Sequence, residues 1–238
     1  MSEKFKILLV EDDPNMGELV KDALIDNDFD VTLCLDGKEG LSTFIKGSFN
    51  ICILDVMMPH MDGFTLAQRI KKLSPETPFM FLTAKNDMED KMEGYEIGAD
   101  DYLTKPFSVK ELVMRINVIS RRLQGNLATT AENSQFELGK LFFDYAKREL
   151  GVKNNMQKIS SKEAELLKLF CVNPNKIVRR EFLLKNVWGD DDYFSSKSMD
   201  VYISRLRKLL KSEPEVQIIN IHGTGYRFLI PGSDAPFD

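Results

Sequence analysis

The stretch Ile51-Cys52-Ile53-Leu54-Asp55-Val56-Met57-Met58-Pro59 runs from four apolar residues into one aspartate and ends at a proline. A short, continuous apolar run is typical of a strand that is buried on both faces of a parallel sheet. Asp55 then lies at the carboxyl end of the strand, the edge at which open α/β sheets bind ligands. A lone aspartate there is more often a helix cap or loop residue, so its role depends on the stretches around it.

Strand and helix patterns alternate through residues 1–123. Five such units predict an α/β domain with a doubly wound, five-stranded parallel sheet. The predicted strands are 5–10, 31–34, 51–55, 79–83 and 101–104, and the predicted helices lie near 14–24, 37–44, 63–73, 87–97 and 112–123.

Chemically active side chains follow the ends of these strands. Asp12 and Asp13 follow the first strand, Thr83 ends another, and Lys105 follows the last. Because the carboxyl ends of parallel strands share one edge, we expect these side chains to meet Asp55 there. Converging carboxylates need a counter-ion, and their hard oxygens suit Mg²⁺. A hydroxyl and an ammonium beside an aspartate can hold the oxygens of a phosphoryl group, so the sequence predicts an acyl-phosphate site.

A second fold is expected after residues 124–134, which are small, polar and without periodicity and so predict a flexible linker. Residues 136–144 and 148–152 have the pattern of short antiparallel strands. Ser160 and Glu163 form a capping-box pattern at the start of a helix. In a further helix Trp188 lies on an apolar stripe, which favours a place in the core.

The decisive helix of this half lies at 196–211. One face is apolar, and the opposite face carries lysines with two arginines flanking it. Strand patterns at 216–221 and 226–230 follow, joined by His222-Gly223-Thr224-Gly225. A helix followed by such a hairpin predicts an α+β winged helix-turn-helix over 135–238, with the helix in the major groove of DNA and the wing at the backbone or minor groove.

The first half closely resembles the receiver domain of two-component response regulators; the stretches that carry the resemblance are 7–13, 54–59, 82–84 and 98–107. The resemblance implies that Asp55 accepts a phosphoryl group from the histidine of a sensor kinase. It implies a Mg²⁺ site whose ligands are Asp12, Asp13, Asp55 and the backbone carbonyl of Met57. Thr83 and Tyr102 are then the switch: the Thr83 hydroxyl turns to meet a phosphoryl oxygen and leaves room for the Tyr102 ring.

The second half resembles the effector domain of the OmpR/PhoB family over 198–209 and 223–228, and its sequence is similar to that of the RprY-like branch. The resemblance implies base readout from the helix and contacts from the wing. The expected DNA contacts are Lys197, Val201, Ser204, Arg205, Arg207, His222 and Tyr226. His222 stands where many members carry arginine, and a neutral imidazole weakens attraction to the minor groove. Residues 190–195 match a loop that approaches RNA polymerase in some members.

The same resemblance implies a homodimer through the receiver domain. The expected ion pairs across a two-fold axis are Lys91 with Glu111, Asp101 with Arg115, and Asp100 with Arg122. Exposed ion pairs contribute only about 0–1 kcal/mol each, so the pairing requires a network around an apolar patch.

Composition and charge set the class and the location. The chain has no apolar run of 18 residues and no basic-then-apolar leader, and its three cysteines are far apart. We therefore expect a cytoplasmic protein with no membrane association, disulfide or zinc site. Net charge is −7 over residues 1–124 and +3 over 134–238, which favours two partners of opposite charge.

These patterns predict a transcription regulator and not an enzyme. A phosphatase of the aspartyl-transfer type is disfavoured because the aspartate expected two residues after the nucleophile is missing, where Met57 stands. A GxxxxGK[ST] loop for nucleotide hydrolysis is also missing. An orphan regulator, which dimerises and binds DNA without phosphorylation, stays open as the alternative.

Overall fold

A computed structural model of the chain describes residues 4–84, 94, 97–123, 134–188 and 193–231. The chain divides into two compact units, Met1–Leu127 and Ala128–Asp238. Each unit buries its own hydrophobic core. Within the described ranges, no helix is long and apolar enough to cross a membrane. The expected linker and most of the helix expected at 87–97 lie outside the described residues.

The first unit is built on a parallel sheet of five strands in the order β2-β1-β3-β4-β5, which confirms the predicted fold. The strands are β1 (Lys6–Val10), β2 (Asp30–Cys34), β3 (Ile51–Asp55), β4 (Phe79–Thr83) and β5 (Asp101–Thr104). The helices are α1 (Pro14–Ile25), α2 (Gly37–Lys46), α3 (Gly63–Leu73) and α4 (Val109–Leu123). Helix α1 contacts α4 and α2 contacts α3, as in a sheet wound on both faces.

Strand β3 lies at the centre of the sheet, and all five of its residues are buried. Asp55 is in register with Leu82 of β4, so the end of the strand lies beside that of its neighbour. Helix α3 approaches this end closely, because a Cβ atom on Gly63 would lie 3.0 Å from the Asp55 carbonyl carbon. Only glycine fits without displacing the backbone that carries the Asp55 side chain.

Aspartates begin three of these helices. Asp13, Asp36 and Asp62 are the N-caps of α1, α2 and α3, and each accepts hydrogen bonds from backbone N–H groups of the first turn. Capping of this kind stabilises a helix by about 1 kcal/mol. The carboxylates that follow the strands therefore divide into helix caps and residues that face the sheet edge.

The second unit begins with an antiparallel sheet of four strands in sequence order: β6 (Gln135–Leu138), β7 (Leu141–Asp144), β8 (Glu149–Val152) and β9 (Asn155–Lys158). The sequence pattern predicts a continuous strand segment over 136–144. In the structure Gly139, at φ +63°, turns the chain and divides the segment into β6 and β7. Strand β9 was not predicted.

The remaining elements form the winged helix. They are α5 (Ser161–Cys171), β10 (Ile177–Arg179), α6 (Arg180–Val187), α7 (Tyr193–Leu210), β11 (Gln217–Ile221) and β12 (Gly225–Leu229). The strands pair antiparallel in the order β10-β12-β11. Ser160 and Glu163 make the predicted capping box at the start of α5. Trp188 packs against the core, as its apolar stripe indicated.

The three cysteines, Cys34, Cys52 and Cys171, are free and buried. Burial raises the pKa of each thiol above its ordinary value. The three cysteines are therefore core residues of the two units.

Candidate functional site

The Asp55 side chain is held from two directions at the end of β3. One carboxylate oxygen accepts a hydrogen bond from the backbone N–H of Met57 at 3.0 Å. The other accepts one from the ammonium of Lys105 at 2.6 Å. The same ammonium donates to both carboxylate oxygens of Glu11, at 2.9 and 2.7 Å. Lys105 thus bridges two carboxylates that follow different strands.

Three acids converge at this edge, and one of them differs from the sequence prediction. Carboxylate oxygens of Glu11, Asp12 and Asp55 all lie within 4.8 Å of one another. Asp13 is not in the cluster, because one of its carboxylate oxygens caps α1 by accepting from the N–H groups of Asn15 and Met16.

The physical reason for this correction is local. Strand β1 ends at Val10 and α1 starts at Pro14, which leaves Asp13 in the N-cap position and puts Glu11 at the sheet edge. A cluster of carboxylate oxygens suits a hard divalent cation such as Mg²⁺. The Met57 backbone lies next to Asp55, but participation of its carbonyl stays a prediction.

The electrostatics of the site follow from burial. Glu11 is only 1% exposed, and burial, with Asp55 nearby, raises its pKa to about 7 although the hydrogen bond from Lys105 opposes this. Burial lowers the pKa of Lys105, but hydrogen bonds to Asp55 and Glu11 outweigh it and the net pKa is raised. One ammonium among three acids leaves excess negative charge, which favours uptake of a cation or a proton.

The two expected switch residues lie on neighbouring strands. Thr83 is buried at the end of β4. The Tyr102 ring is also buried and packs against Phe81, with ring centroids 5.1 Å apart. A Cβ atom on Gly94 would overlap the Tyr102 hydroxyl and lie 2.8 Å from the Phe81 ring. The interior place of Tyr102 therefore requires glycine at position 94, a residue that sequence reasoning missed.

The expected dimer residues are brought together only in part. Asp101 and Glu111 both bind Arg115 within one chain, at 3.0 and 2.9 Å. Asp100 is buried and accepts a hydrogen bond from the backbone N–H of Phe79 at 3.2 Å. Asp100 thus has a partner within its own chain, and its ion pair with Arg122 across a two-fold axis stays a prediction. Lys91 and the Arg122 side chain lie outside the described residues.

Of the expected DNA contacts, some are exposed and others contact residues of the same chain. Lys197 and Ser204 are exposed, and Val201 is half-buried beside them. The Arg205 guanidinium lies 5.5 Å from the centroid of the Tyr202 ring. Arg207 donates from Nε to the backbone carbonyl of Ile218 at 2.9 Å, which ties α7 to β11. His222 is exposed in the turn of the wing.

Tyr226 was expected to contact DNA, but the structure buries it. Its side chain packs in the core, and the residue is only 4% exposed. Its hydroxyl donates to the Asp200 carboxylate at 2.9 Å and accepts from the Arg180 guanidinium at 2.7 Å. Sequence reasoning missed Arg180 and Asp200, because the three side chains lie on different elements that no local pattern connects.

Comparison with known proteins agrees with this geometry. Residues 7–117 match the family described as response regulator receiver domain, and residues 154–228 match the family described as transcriptional regulatory protein, C terminal. The transcriptional regulatory protein RprY of Bacteroides fragilis is 47% identical over 231 residues, which is 97% of each chain. The transcriptional regulatory protein DltR of Streptococcus agalactiae is 35% identical over 93% of this chain and 97% of its own.

Among solved structures, DrrB of Thermotoga maritima, described as an OmpR/PhoB homologue, is 32% identical with a TM-score of 0.50, over 95% of this chain and 100% of its own. The fold and the acidic site define a response regulator, in which a receiver domain precedes a DNA-binding domain. The chain belongs to the OmpR/PhoB family of these transcription regulators, and the match with RprY supports the RprY-like branch.

Proposed function

We propose that this protein is a sequence-specific transcription regulator that is switched by phosphorylation of Asp55. A sensor histidine kinase supplies the phosphoryl group, the receiver domains of two copies then pair, and the two effector domains bind adjacent DNA half-sites. The observation that carries the proposal is the environment of Asp55. One ammonium lies 2.6 Å from its carboxylate, and carboxylate oxygens of two further acids lie within 4.8 Å of it.

The chemistry that this arrangement supports is phosphoryl transfer to a carboxylate. A carboxylate oxygen of Asp55 attacks the phosphorus atom and forms an acyl phosphate, while the bond to the donor breaks and the leaving group keeps the electron pair. Lys105 holds its positive charge next to the new anion. Glu11, Asp12 and Asp55 would hold Mg²⁺, which supplies neutralisation of the phosphoryl charge when it is bound.

The readout uses residues next to the acceptor. A phosphoryl group adds negative charge and three acceptor oxygens, and in this proposal the hydroxyl of Thr83, at the end of the adjacent strand, donates to one of them. The Tyr102 ring is buried beside Gly94, and we propose that this donation changes how often the ring occupies that position. A local charge change that biases two packing states is what a switch requires.

Dimerisation and DNA binding are the output. Pairing of the receivers raises the effective concentration of the second effector domain on an adjacent half-site. Lys197 and Ser204 lie on the exposed face of α7, where we propose that DNA binds, and the net charge of +3 over residues 134–238 favours a polyanion. We propose that the protein acts in the cytoplasm as a binding protein and not as an enzyme, with RNA polymerase as a further partner.

The acceptor role is tested by native mass spectrometry of the full-length protein with acetyl phosphate and Mg²⁺. We expect a phosphoryl adduct on the wild type, none on Asp55→Asn, and an unchanged adduct on Asp62→Asn, since asparagine also caps a helix. The adduct should convert monomer to dimer. A protein that is dimeric without an adduct, in wild type and Asp55→Asn alike, would favour the orphan alternative.

DNA readout is tested separately with Arg205→Ala. Loss of a base contact should reduce the preference for a selected duplex over a random one by about ten-fold or more, at roughly constant affinity for random DNA. An unchanged preference would remove Arg205 from the set of base-reading residues.

A further inference from the structure

Three elements of the winged helix are joined by one group of polar side chains, which we call the Arg180 brace: Arg180, Ser196, Asp200 and Tyr226. Arg180 is the first residue of α6, Ser196 and Asp200 lie one turn apart on α7, and Tyr226 lies on β12. The brace therefore connects the helix expected to read DNA with a strand of the wing.

The Arg180 guanidinium has all of its donors committed within the protein. Its Nε donates to the Ser196 hydroxyl at 3.1 Å. One terminal nitrogen donates to Asp200 and to the Tyr226 hydroxyl, both at 2.7 Å. The other donates to the Ser196 carbonyl at 2.6 Å and to its hydroxyl at 2.8 Å. A guanidinium has five N–H groups, so none is left for a DNA phosphate.

The carboxylate of the brace points to the same conclusion. The Asp200 side chain is 48% exposed, on the side of α7 that borders the DNA-facing residues. A carboxylate there repels phosphate, so it is a liability for DNA binding unless it does something else. In the structure it accepts from both Arg180 and Tyr226, which closes a three-membered hydrogen-bonded ring.

We infer that the Arg180 brace is a positioning element, which fixes the start of α7 relative to the wing so that both reach one DNA duplex together. This inference rests on the proposed function, because it assigns the brace to DNA binding. Arg180, Asp200 and Tyr226 then act through α7 and the wing, and none of them touches DNA.

The sign of one substitution separates positioning from contact. If Arg180 or Tyr226 binds phosphate directly, Asp200→Asn removes a repelling charge and binding becomes tighter. If the brace positions α7, Asp200→Asn weakens the ring and binding becomes weaker, by about ten-fold for loss of one charged hydrogen bond. Arg180→Lys divides the two roles in the same way, because lysine still binds phosphate but cannot make five directed hydrogen bonds.

The experiment measures binding of the full-length protein to two duplexes of equal length, one selected by the wild type from a random pool and one unselected. The variants are Asp200→Asn, Arg180→Lys and Tyr226→Phe. Tyr226→Phe keeps the ring in the core against Phe170. The matched control is Tyr145→Phe, which removes a tyrosine hydroxyl bonded to the Glu165 carboxylate at 2.6 Å, away from the brace. Trp188 fluorescence and circular dichroism check that each variant is folded.

We expect the three brace variants to lose about ten-fold affinity for the selected duplex while the dependence of binding on salt keeps its slope, and the control to bind as the wild type does. Tighter binding by Asp200→Asn, or wild-type affinity in Arg180→Lys, would overturn positioning in favour of contact, because lysine keeps the charge that binds phosphate. Unchanged affinity in all three folded variants would also overturn it. If the wild type does not prefer its selected duplex, the proposed function itself fails.

Discussion

Replacement of Lys105 by methionine tests the electrostatic design of the acceptor site most directly. The substitution keeps most of the length of the side chain but removes the ammonium that bridges Glu11 and Asp55, at 2.7 and 2.6 Å. The side chains of Glu11, Asp55 and Lys105 are 2%, 7% and 18% exposed. Removal of one partner from a buried ion pair costs about 3–5 kcal/mol. Because Lys105 keeps some contact with water, we expect the lower end, about 3 kcal/mol.

The cost should depend on pH and on Mg²⁺. Lys105 opposes the raised pKa of Glu11, so without the ammonium that pKa rises further and the contribution of Glu11 to stability is lost as pH rises. The destabilisation should therefore be larger at pH 8 than at pH 5.5. Added Mg²⁺ should restore part of it, since a bound cation would replace the missing charge and stabilise only the folded state.

Urea unfolding of the full-length protein in EDTA and in Mg²⁺ measures these effects, with far-UV circular dichroism for the whole chain. Trp188 is the only tryptophan and lies in the second unit, so its fluorescence reports a transition that should not move. Lys21→Met is the matched control, because its pair with Glu18 is at the surface and is worth at most about 1 kcal/mol. A cost below about 1 kcal/mol for Lys105→Met, or equal costs at both pH values, would refute the reasoning.

Three further predictions concern the same unit. Asp13→Ala should cost about 1 kcal/mol of stability through the lost cap but leave Mg²⁺ affinity unchanged in calorimetric titration, whereas Asp12→Asn should lower that affinity by about ten-fold or more; equal losses in both would restore Asp13 as a ligand. His60→Gly should stabilise by about 0.5–1 kcal/mol in urea unfolding, because His60 has a φ of +66° that glycine adopts freely, and a loss of stability would contradict this. Glu11 has a raised pKa, so its contribution to stability is full below about pH 4.5 and is lost as pH rises through about 7. Glu11→Gln should remove about 3 kcal/mol of this decline in metal-free buffer, measured by urea unfolding across that pH range. An unaltered pH profile would argue against a buried carboxyl with a raised pKa.

The parts of the fold that sequence reasoning found are those with local signals. The apolar run that ends at Asp55 specifies a buried strand by itself, and five repeats of strand and helix leave little choice but a parallel sheet. Strand β9 was missed because its residues Asn155–Lys158 are mostly polar and exposed, so pairing with β8 and not hydrophobicity defines it.

The errors in the site came from choosing the wrong one of two or three adjacent acidic residues. Pro14 in the first turn of α1 marks the residue before it as the N-cap, so the sequence already contained the signal that Asp13 caps and Glu11 faces the site. Asp100 and Asp101 are adjacent, yet one turns inward to Phe79 and the other outward to Arg115. The Arg180 brace carried no such signal, because its members are separated by up to 46 residues and meet only in the folded unit.

The buried cysteines allow the opening of each unit to be measured separately. A thiol reagent reaches a buried sulfur only when the surrounding structure opens, so the rate of labelling under native conditions measures the free energy of that opening. Cys34 and Cys52 lie on strands of the first unit, and Cys171 ends a helix of the second. Mass spectrometry of partly labelled protein would thus show, in one unmodified chain, whether phosphorylation tightens the receiver, the effector domain, or both.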